Sequence, residues 1–137
     1  MLINLITTMV TILGGIIIAG TTYWFTKKQE REAELRKEKL EHYKDFVASL
    51  SDMFSNCKTP ENRIKYTNAC NKLMLIAPQS VIEAFLIFQQ QSKLPNIDNE
   101  TRLILISKLF YEIRLDLKIN PSDSRNSFRI DFFDPSL

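Results

Sequence analysis

Glycine and histidine are scarce in this chain of 137 residues, and their scarcity excludes several kinds of catalytic site. The three glycines, Gly14, Gly15 and Gly20, all lie in one apolar run near the N-terminus, so the sequence contains no glycine-rich phosphate loop. Its single histidine cannot complete an HExxH motif or a paired Cys/His zinc site, and no nucleophile elbow is present. We therefore predict that the protein is not an enzyme and needs neither a metal nor another cofactor.

The two cysteines and the small net charge argue against a disulfide and against a nucleic-acid partner. Cys57 and Cys70 lack CxxC spacing, and in a cytoplasmic domain we expect them to be reduced thiols that pack as small hydrophobic residues. The formal charge is +2 and both signs are interspersed, so the composition gives no electrostatic basis for binding nucleic acid.

Charged side chains are absent from the first 26 residues, and this absence predicts a membrane anchor. Leu2 to Phe25 form an uncharged run of 24 residues, which as a helix would extend about 36 Å and cross a hydrocarbon core of about 30 Å. Ile18, Ala19 and Gly20 loosely resemble a signal-peptide cleavage site, but the run lacks a basic n-region and exceeds a usual h-region. We predict a retained transmembrane anchor over residues 1–26.

Aromatic and basic residues mark the end of this span. Tyr23, Trp24 and Phe25 form an aromatic belt, and Lys27 and Lys28 follow at once. Lysine and arginine are absent before the span and abundant after it, so the positive-inside rule places the N-terminus outside and the rest of the chain in the cytoplasm. The sequence thus predicts a single-pass protein of the lipid bilayer, with Tyr23, Trp24, Lys27 and Lys28 as its interface anchors.

Small residues recur along the span at helical spacing. Thr7, Thr11, Gly15 and Ala19 are each four residues apart, which is typical of a face through which helices associate in lipid. A second series with steps of three and four consists of Thr8, Thr11, Gly15, Ile18 and Thr22. We predict a homo-oligomer, in which the associated helices either hold the protein together or also line a narrow aqueous path.

No proline or glycine occurs between Thr26 and Cys57, so the membrane helix is predicted to continue beyond the bilayer. Residues 27–39 are almost wholly charged, and Glu32 and Arg36 have the four-residue spacing of a solvated helix. This segment is predicted to be a charged helical stalk.

Residues 40–118 contain four segments with apolar stripes, a pattern that predicts a small cytoplasmic bundle of the up-down type. The first stripe consists of Leu40, Tyr43, Val47, Leu50, Phe54 and Cys57, and Phe46 and Met53 widen it at its margin. The expected N-caps of the next three helices are Thr59, Ser80 in a capping box with Glu83, and either Asp98 or Asn99. The predicted fold class is all-α, with the N-terminal transmembrane helix continuing into the bundle.

Residues 119–137 follow a different pattern. Phe128, Ile130 and Phe132 alternate with charged residues, and this period of two is typical of a strand. An isolated strand is unstable, so we expect a short extended C-terminal tail that docks on the bundle or on a neighbouring subunit.

Arg36 and His42 have the arginine-to-histidine spacing found in helical HEPN ribonucleases. Such spacing arises easily by chance in a run rich in lysine and arginine, and both residues precede the predicted bundle core. We therefore interpret His42 as a surface or helix-interface residue rather than a catalytic one.

Arg114 and Asp116, in the sequence EIRLDLK, lie two residues apart and cannot face each other on a helix. We expect each to pair with a different segment, Arg114 forming a salt bridge with a carboxylate of the tail or of a neighbouring subunit. The alternative is an anion site that Arg114 forms with Arg102 and Lys108.

The segments NKLMLIAPQSVIEAF and LFYEIRLDL, followed by an aromatic tail, resemble a family of small bacterial single-span membrane proteins with a cytoplasmic helical domain. The resemblance covers most of residues 40–137 and implies a location in the bacterial inner membrane. The layout is also similar to that of membrane effectors that accompany antiphage systems, including the membrane accessory of some CRISPR ribonucleases. It implies a membrane-perturbing function in antiviral defence; the alternative is an inert anchor that recruits a cytoplasmic protein partner.

Overall fold

The computed structural model of the protein describes residues 1–54, 59–119 and 124–130. In these three ranges the chain forms four helices and no strand: α1 Leu2–Phe54, α2 Pro60–Ile76, α3 Gln79–Ser92 and α4 Asn99–Asp116. The all-α prediction is thereby confirmed for the described residues. The chain divides into two compact units, Met1–Glu38 and Lys39–Leu137.

The first unit is the N-terminal part of α1. As the lack of proline and glycine after Thr26 predicts, α1 continues without a break to Phe54. Its apolar window is wholly exposed within the protein, and by length and composition the helix is able to cross a membrane. The large apolar side chains from Leu2 to Ile18 are all more than half exposed, which is the pattern of a helix whose apolar surface faces something other than its own chain.

The second unit is a helical bundle with one hydrophobic core. The buried core residues are Tyr43, Phe46, Leu50, Ala69, Cys70, Leu73, Val81, Phe85, Phe88, Ile106, Leu109, Ile113 and Leu117. All four helices contribute to it, and the Phe46 and Phe85 rings meet edge to face with centroids 5.6 Å apart. Burial of this apolar surface is the main stabilising term of the bundle.

The buried face of α1 differs from the predicted stripe. Tyr43, Phe46 and Leu50 are buried, whereas Val47 and Phe54 are 37% and 47% exposed. The other three helices therefore pack on a face centred at Phe46, which the stripe treated as peripheral. Cys57, the last residue of that stripe, lies outside the described residues.

Two of the predicted helix starts are confirmed, and one is wrong. Thr59 caps α2 by accepting a hydrogen bond from the Asn62 backbone N–H, and Asp98 caps α4 by accepting one from Thr101. Helix α3 begins at Gln79, immediately after Pro78, and has no side-chain cap, so Ser80 lies inside the helix. Pro78 has φ −69° and ψ 163°, an extended conformation that ends the preceding segment and lets the helix begin at the next residue.

Helix α4 ends in a left-handed residue. Lys118 has φ 57°, and the Ile119 N–H donates to the Arg114 carbonyl at 2.8 Å. The Lys118 N–H donates to the Leu115 carbonyl at 3.0 Å, which completes a Schellman motif. Lysine here occupies a position that usually favours glycine, because a Cβ destabilises the left-handed conformation.

Part of the C-terminal segment lies along α4. The described residues 124–130 contain a turn followed by an irregular stretch, with no strand among them. The Phe128 ring packs on Tyr111 with centroids 5.6 Å apart, and the Ile130 N–H donates to the Ser107 hydroxyl at 3.0 Å. The extended form predicted for 119–137 stays a prediction, because 120–123 and 131–137, including Phe132, lie outside the described residues.

Candidate functional site

The small-residue face of α1 is open to its surroundings. A Cβ added at Gly15 would meet no atom within 4 Å, and the same holds for Gly14 and Gly20. None of the three has a positive φ, so the helix itself does not demand glycine at these positions. Within the described residues, no internal close approach accounts for the glycines that lie beside Thr11 and Ala19.

The hydroxyls of Thr7, Thr8, Thr11 and Thr21 are satisfied within α1. Thr7 donates to the Ile3 carbonyl at 2.8 Å, and Thr11 donates to the Thr7 carbonyl at 2.8 Å. Thr8 and Thr21 make equivalent bonds to carbonyls one turn earlier. Since each of these four hydroxyl protons has a backbone carbonyl of the same helix as its partner, the four threonines carry no unsatisfied donor into an apolar environment.

The four predicted interface anchors form two pairs along α1. The Lys27 ammonium lies 5.9 Å from the centroid of the Tyr23 ring, and the Lys28 ammonium lies 5.3 Å from that of Trp24. Side chains on a helix lean toward its N-terminus, so a lysine reaches back over the aromatic residue four positions earlier. Each pair combines an amphipathic ring with a cation at the end of the apolar run.

In the second unit, one carboxylate joins α1 to the end of α4. The Lys39 ammonium lies 3.0 Å from Oδ1 and 3.1 Å from Oδ2 of Asp116, and the Tyr43 hydroxyl donates to Oδ2 at 2.6 Å. The Lys39 and Asp116 side chains are 19% and 12% exposed. Burial, together with the neighbouring carboxylate, raises the pKa of Tyr43 well above its ordinary value, so the phenol stays a donor.

The expectation that Asp116 pairs with a different segment from Arg114 is confirmed, but its partners on α1 were not identified from the sequence. The available signal was the four-residue spacing of Lys39 and Tyr43, which places a cation beside an apolar stripe. Nothing in the linear pattern indicates that the end of α4 meets this point of α1.

Arg114 lies over an aromatic ring of the C-terminal segment. Its guanidinium is 5.7 Å from the Phe128 centroid. Nearby, Arg125 forms an ion pair with the largely buried Glu112, with Nε and Oε1 2.8 Å apart. The predicted salt bridge of Arg114 with a tail carboxylate stays a prediction, since 131–137 lie outside the described residues.

The structure does not bring the three cations of the alternative anion site together. Arg102, Lys108 and Arg114 are six residues apart, so each points about 120° away from the others around α4. Arg102 lies over the Phe54 ring at 6.0 Å, and Lys108 lines a groove between α3 and α4. Arg36 and His42, whose spacing is similar to that in HEPN ribonucleases, belong to different units of the chain.

Cys70 is a free, buried thiol, as predicted. Burial raises its pKa, which keeps the sulfur protonated beside Tyr66. Cys57 lies outside the described residues. Among residues 1–54, 59–119 and 124–130, no three His, Cys, Asp or Glu side chains are grouped to hold a metal ion.

The described part of the bundle includes two open grooves. One, of about 360 Å³, separates Asp45 and Asp52 of α1 from Lys65 and Lys72 of α2. The other, of about 260 Å³, lies between α3 and α4 and includes Ile87. Both are shallow and carry charges of both signs, so neither selects a ligand of one charge. Comparison with known protein families, with curated proteins and with solved structures finds no match for this chain.

Proposed function

We propose that the chain is a self-associating single-pass protein of a bacterial inner membrane, anchored by residues 1–26 of α1. The observation that supports this most directly is the open face of α1, where Gly15 meets no atom that would require a glycine. Glycine inside a helix costs about 0.5–1 kcal/mol relative to alanine. Close approach of a second helix in the bilayer is the arrangement that offsets this cost.

The composition of that face fits packing between helices in lipid. Lipid tails are as apolar as leucine, so association there depends on close van der Waals contact between small residues. Thr7 and Thr11 direct their hydroxyl protons to their own backbone and leave compact side chains on the surface. Together with Gly15 and Ala19 they form a shallow face of four small residues, one turn apart.

The ends of the anchor support an orientation with the bundle in the cytoplasm. No basic side chain precedes the span, and Lys27 and Lys28 follow it, stacked on Tyr23 and Trp24. These pairs suit the headgroup region, where the rings lie in the interface and the ammonium groups reach phosphate and water.

The activity that we propose for the assembled helices is perturbation of the membrane, gated by the helical bundle. Thr8, Thr11 and Thr22 lie on the second small-residue series, and their oxygens remain able to accept hydrogen bonds from water. The similarity of layout to membrane effectors of antiphage systems suggests a defence role, in which a partner or signal acts on the bundle.

The test combines Gly15→Leu with Ala19→Leu in the full chain. If the small face is an interface, the double variant loses cross-linked oligomers in membranes and loses any permeabilisation of vesicles or cells. Gly20→Leu is the matched control, because residue 20 points about 140° away from residue 15 on the helix. Unchanged oligomers and permeabilisation in the double variant would reject the proposal, as would equal losses in the control.

A second candidate function is an inert anchor whose bundle recruits a cytoplasmic protein. The supporting observation is apolar exposure on α3, where Ile87 is 50% exposed beside the α3–α4 groove. For this function, capture of the full chain in mild detergent recovers a stoichiometric protein, and Ile87→Asp abolishes its recovery. The Gly15→Leu, Ala19→Leu variant leaves that recovery unchanged, which separates the two functions.

A further inference from the structure

Residues 124–130 lie along α4, and we call this segment the strap. The Arg125 Nε lies 2.8 Å from Glu112 Oε1 in the second half of the helix. The Ile130 N–H donates to the Ser107 hydroxyl at 3.0 Å, about one and a half turns earlier. Because the later strap residue contacts the earlier helix residue, the strap runs antiparallel to α4.

Aromatic contacts hold the middle of the strap. The Phe128 ring meets the Tyr111 ring with centroids 5.6 Å apart, and the Arg114 guanidinium lies 5.7 Å from the Phe128 centroid. The Arg125 guanidinium lies 5.9 Å from the Tyr111 centroid. The strap thus brings an arginine and a phenylalanine, three positions apart, onto one tyrosine of α4.

Two polar groups of α4 that contact the strap are buried. Ser107 is 2% exposed and Glu112 is 9% exposed. Burial of a hydroxyl or a carboxylate is costly unless the group has a hydrogen-bonding partner. The strap supplies a cation to Glu112 and a backbone N–H to Ser107. This surface of α4 therefore suits an occupant that carries both groups.

The strap itself is only lightly held. Five of its seven residues are exposed, and Phe128 and Ile130 are half-buried. Its second ion pair, between Arg129 and Glu100 at 3.6 Å, is more than half exposed at both ends and contributes little. A segment that is neither helix nor strand and is held mainly by side chains opens at a lower free energy than the core helices.

We infer that this surface of α4 is a binding site for an extended peptide and that the strap is its intramolecular occupant. The groups that the site recognises are an arginine, a phenylalanine three positions later and a backbone N–H two positions beyond that. A protein partner that presents these groups competes with the strap, which is favoured by its high effective concentration. The site gives such a partner a place to act on the bundle, and it is independent of self-association through α1.

Peptide binding to the full chain in detergent tests the site. The probe is a fluorescein-labelled peptide of sequence SRNSFRI, and Arg125→Ala with Phe128→Ala disables the strap of the chain without changing α4. We expect fluorescence anisotropy to show binding to this double variant at least about fivefold tighter than to the parent chain, because the tethered strap of the parent competes.

The same peptide with Phe128→Ala is the matched control. It should bind the double variant at least about fivefold more weakly, because it lacks the ring that packs on Tyr111. Equal binding to the parent chain and the double variant, equal binding of the two peptides, or no binding at all would overturn the inference.

Proteolysis of the full chain tests the docking of the strap. Glu112 and Glu100 each pair with a strap arginine, but their side chains are 11% and 74% exposed, so Glu100→Gln is the matched control for Glu112→Gln. Trypsin cleaves after Arg125 and Arg129, and mass spectrometry follows the C-terminal peptides that are released. We expect Glu112→Gln to raise the rate of release at least about fivefold and Glu100→Gln to change it less than about twofold.

Circular dichroism shows whether Glu112→Gln keeps its helices. If it does not, cleavage after Arg129 in the Arg125→Ala, Phe128→Ala chain replaces it and should be faster than in the parent. Equal rates in the variant and the parent would overturn the inference. The Gly15→Leu, Ala19→Leu variant should bind the peptide as the parent does, so a failure of this site and a failure of the proposed self-association are distinguishable.

Discussion

Lys39 and Asp116 form a charge-assisted contact between residues 77 positions apart, with Nζ lying 3.0 Å and 3.1 Å from the two carboxylate oxygens. The Tyr43 hydroxyl donates to the same carboxylate, so one side chain at the end of α4 is the partner of two side chains on α1. Because the carboxylate is only 12% exposed, water replaces these bonds poorly when one partner is removed.

Asp116→Asn is therefore expected to destabilise the bundle by about 1.5–3 kcal/mol, the range for hydrogen bonds to charged groups. The amide leaves Lys39 without its counter-charge in a partly buried position. Chemical denaturation of the full chain in detergent, followed by circular dichroism, measures the change. Asp45→Asn, on the exposed side of α1, is the control and should change the free energy of unfolding by less than about 0.5 kcal/mol. Equal stability of the two variants would contradict the proposed importance of the contact.

The same network predicts loss of stability at alkaline pH. Burial raises the pKa of Tyr43 in the folded state above its ordinary value of about 10, so the folded state holds the phenolic proton more tightly than the unfolded state. Its contribution is fully present below pH 10 and declines as the pH rises beyond it. Tyr66, whose pKa is also raised by burial, acts in the same direction.

Denaturation midpoints measured from pH 8 to pH 11.5 check this prediction. Tyr43→Phe should flatten the decline above about pH 10, because the variant has one fewer phenol to titrate. Tyr23→Phe, in the exposed part of α1, is the control and should leave the slope unchanged. A slope in Tyr43→Phe as steep as in the parent chain would show that other groups cause the decline.

The left-handed residue at the end of α4 allows a stabilising substitution. Lys118 has φ 57°, where a Cβ costs about 1–2 kcal/mol. Lys118→Gly is expected to be more stable than Lys118→Ala by about 1 kcal/mol, because both remove the lysine side chain and only glycine relieves the backbone. Thermal unfolding of the two variants side by side gives the comparison, and an alanine variant at least as stable as the glycine variant would contradict it.

Alanine substitutions at Thr59, the N-cap of α2, and at Ser80, near the uncapped start of α3, are expected to have different effects on stability. Thr59→Ala removes the side chain that accepts the Asn62 N–H at 3.2 Å, and it should cost about 1 kcal/mol. Ser80→Ala lies inside α3, where alanine is the better helix former, and should be neutral or slightly stabilising. Denaturation midpoints of the two variants check this prediction. A loss of stability in Ser80→Ala would contradict it and would indicate that Ser80 caps α3.

Local chemistry explains which parts of the fold were predictable. Thr59 and Asp98 are side chains that accept backbone hydrogen bonds within three residues, so the sequence alone identifies them as caps. Ser80 also has the spacing to Glu83 that a capping box requires. However, α3 begins at Gln79, directly after Pro78, so Ser80 lies inside the helix.

Hydrophobic periodicity does not predict contacts between segments that are distant in the sequence. A helical stripe identifies an apolar face but does not indicate which part of that face the neighbouring helices contact. The stripe therefore places Phe46 at its margin, whereas in the structure Phe46 is fully buried. Likewise, no local rule connects Asp116 with Lys39. The exposure of Leu75 on α2 is a similar case, because it becomes evident only when Leu73 and Ala69 on the opposite face are seen to fill the core.

The open glycines of α1 give the protein opposite responses to one substitution in two environments. Because a Cβ at Gly15 meets nothing within the chain, Gly15→Ala should strengthen the isolated helix. If a second helix approaches at that point in the bilayer, the same methyl group pushes the two backbones apart and weakens their association. The added methyl group would then stabilise the monomer and destabilise the assembly. The sign of the change in stability on Gly15→Ala would therefore show which of the two states the protein occupies.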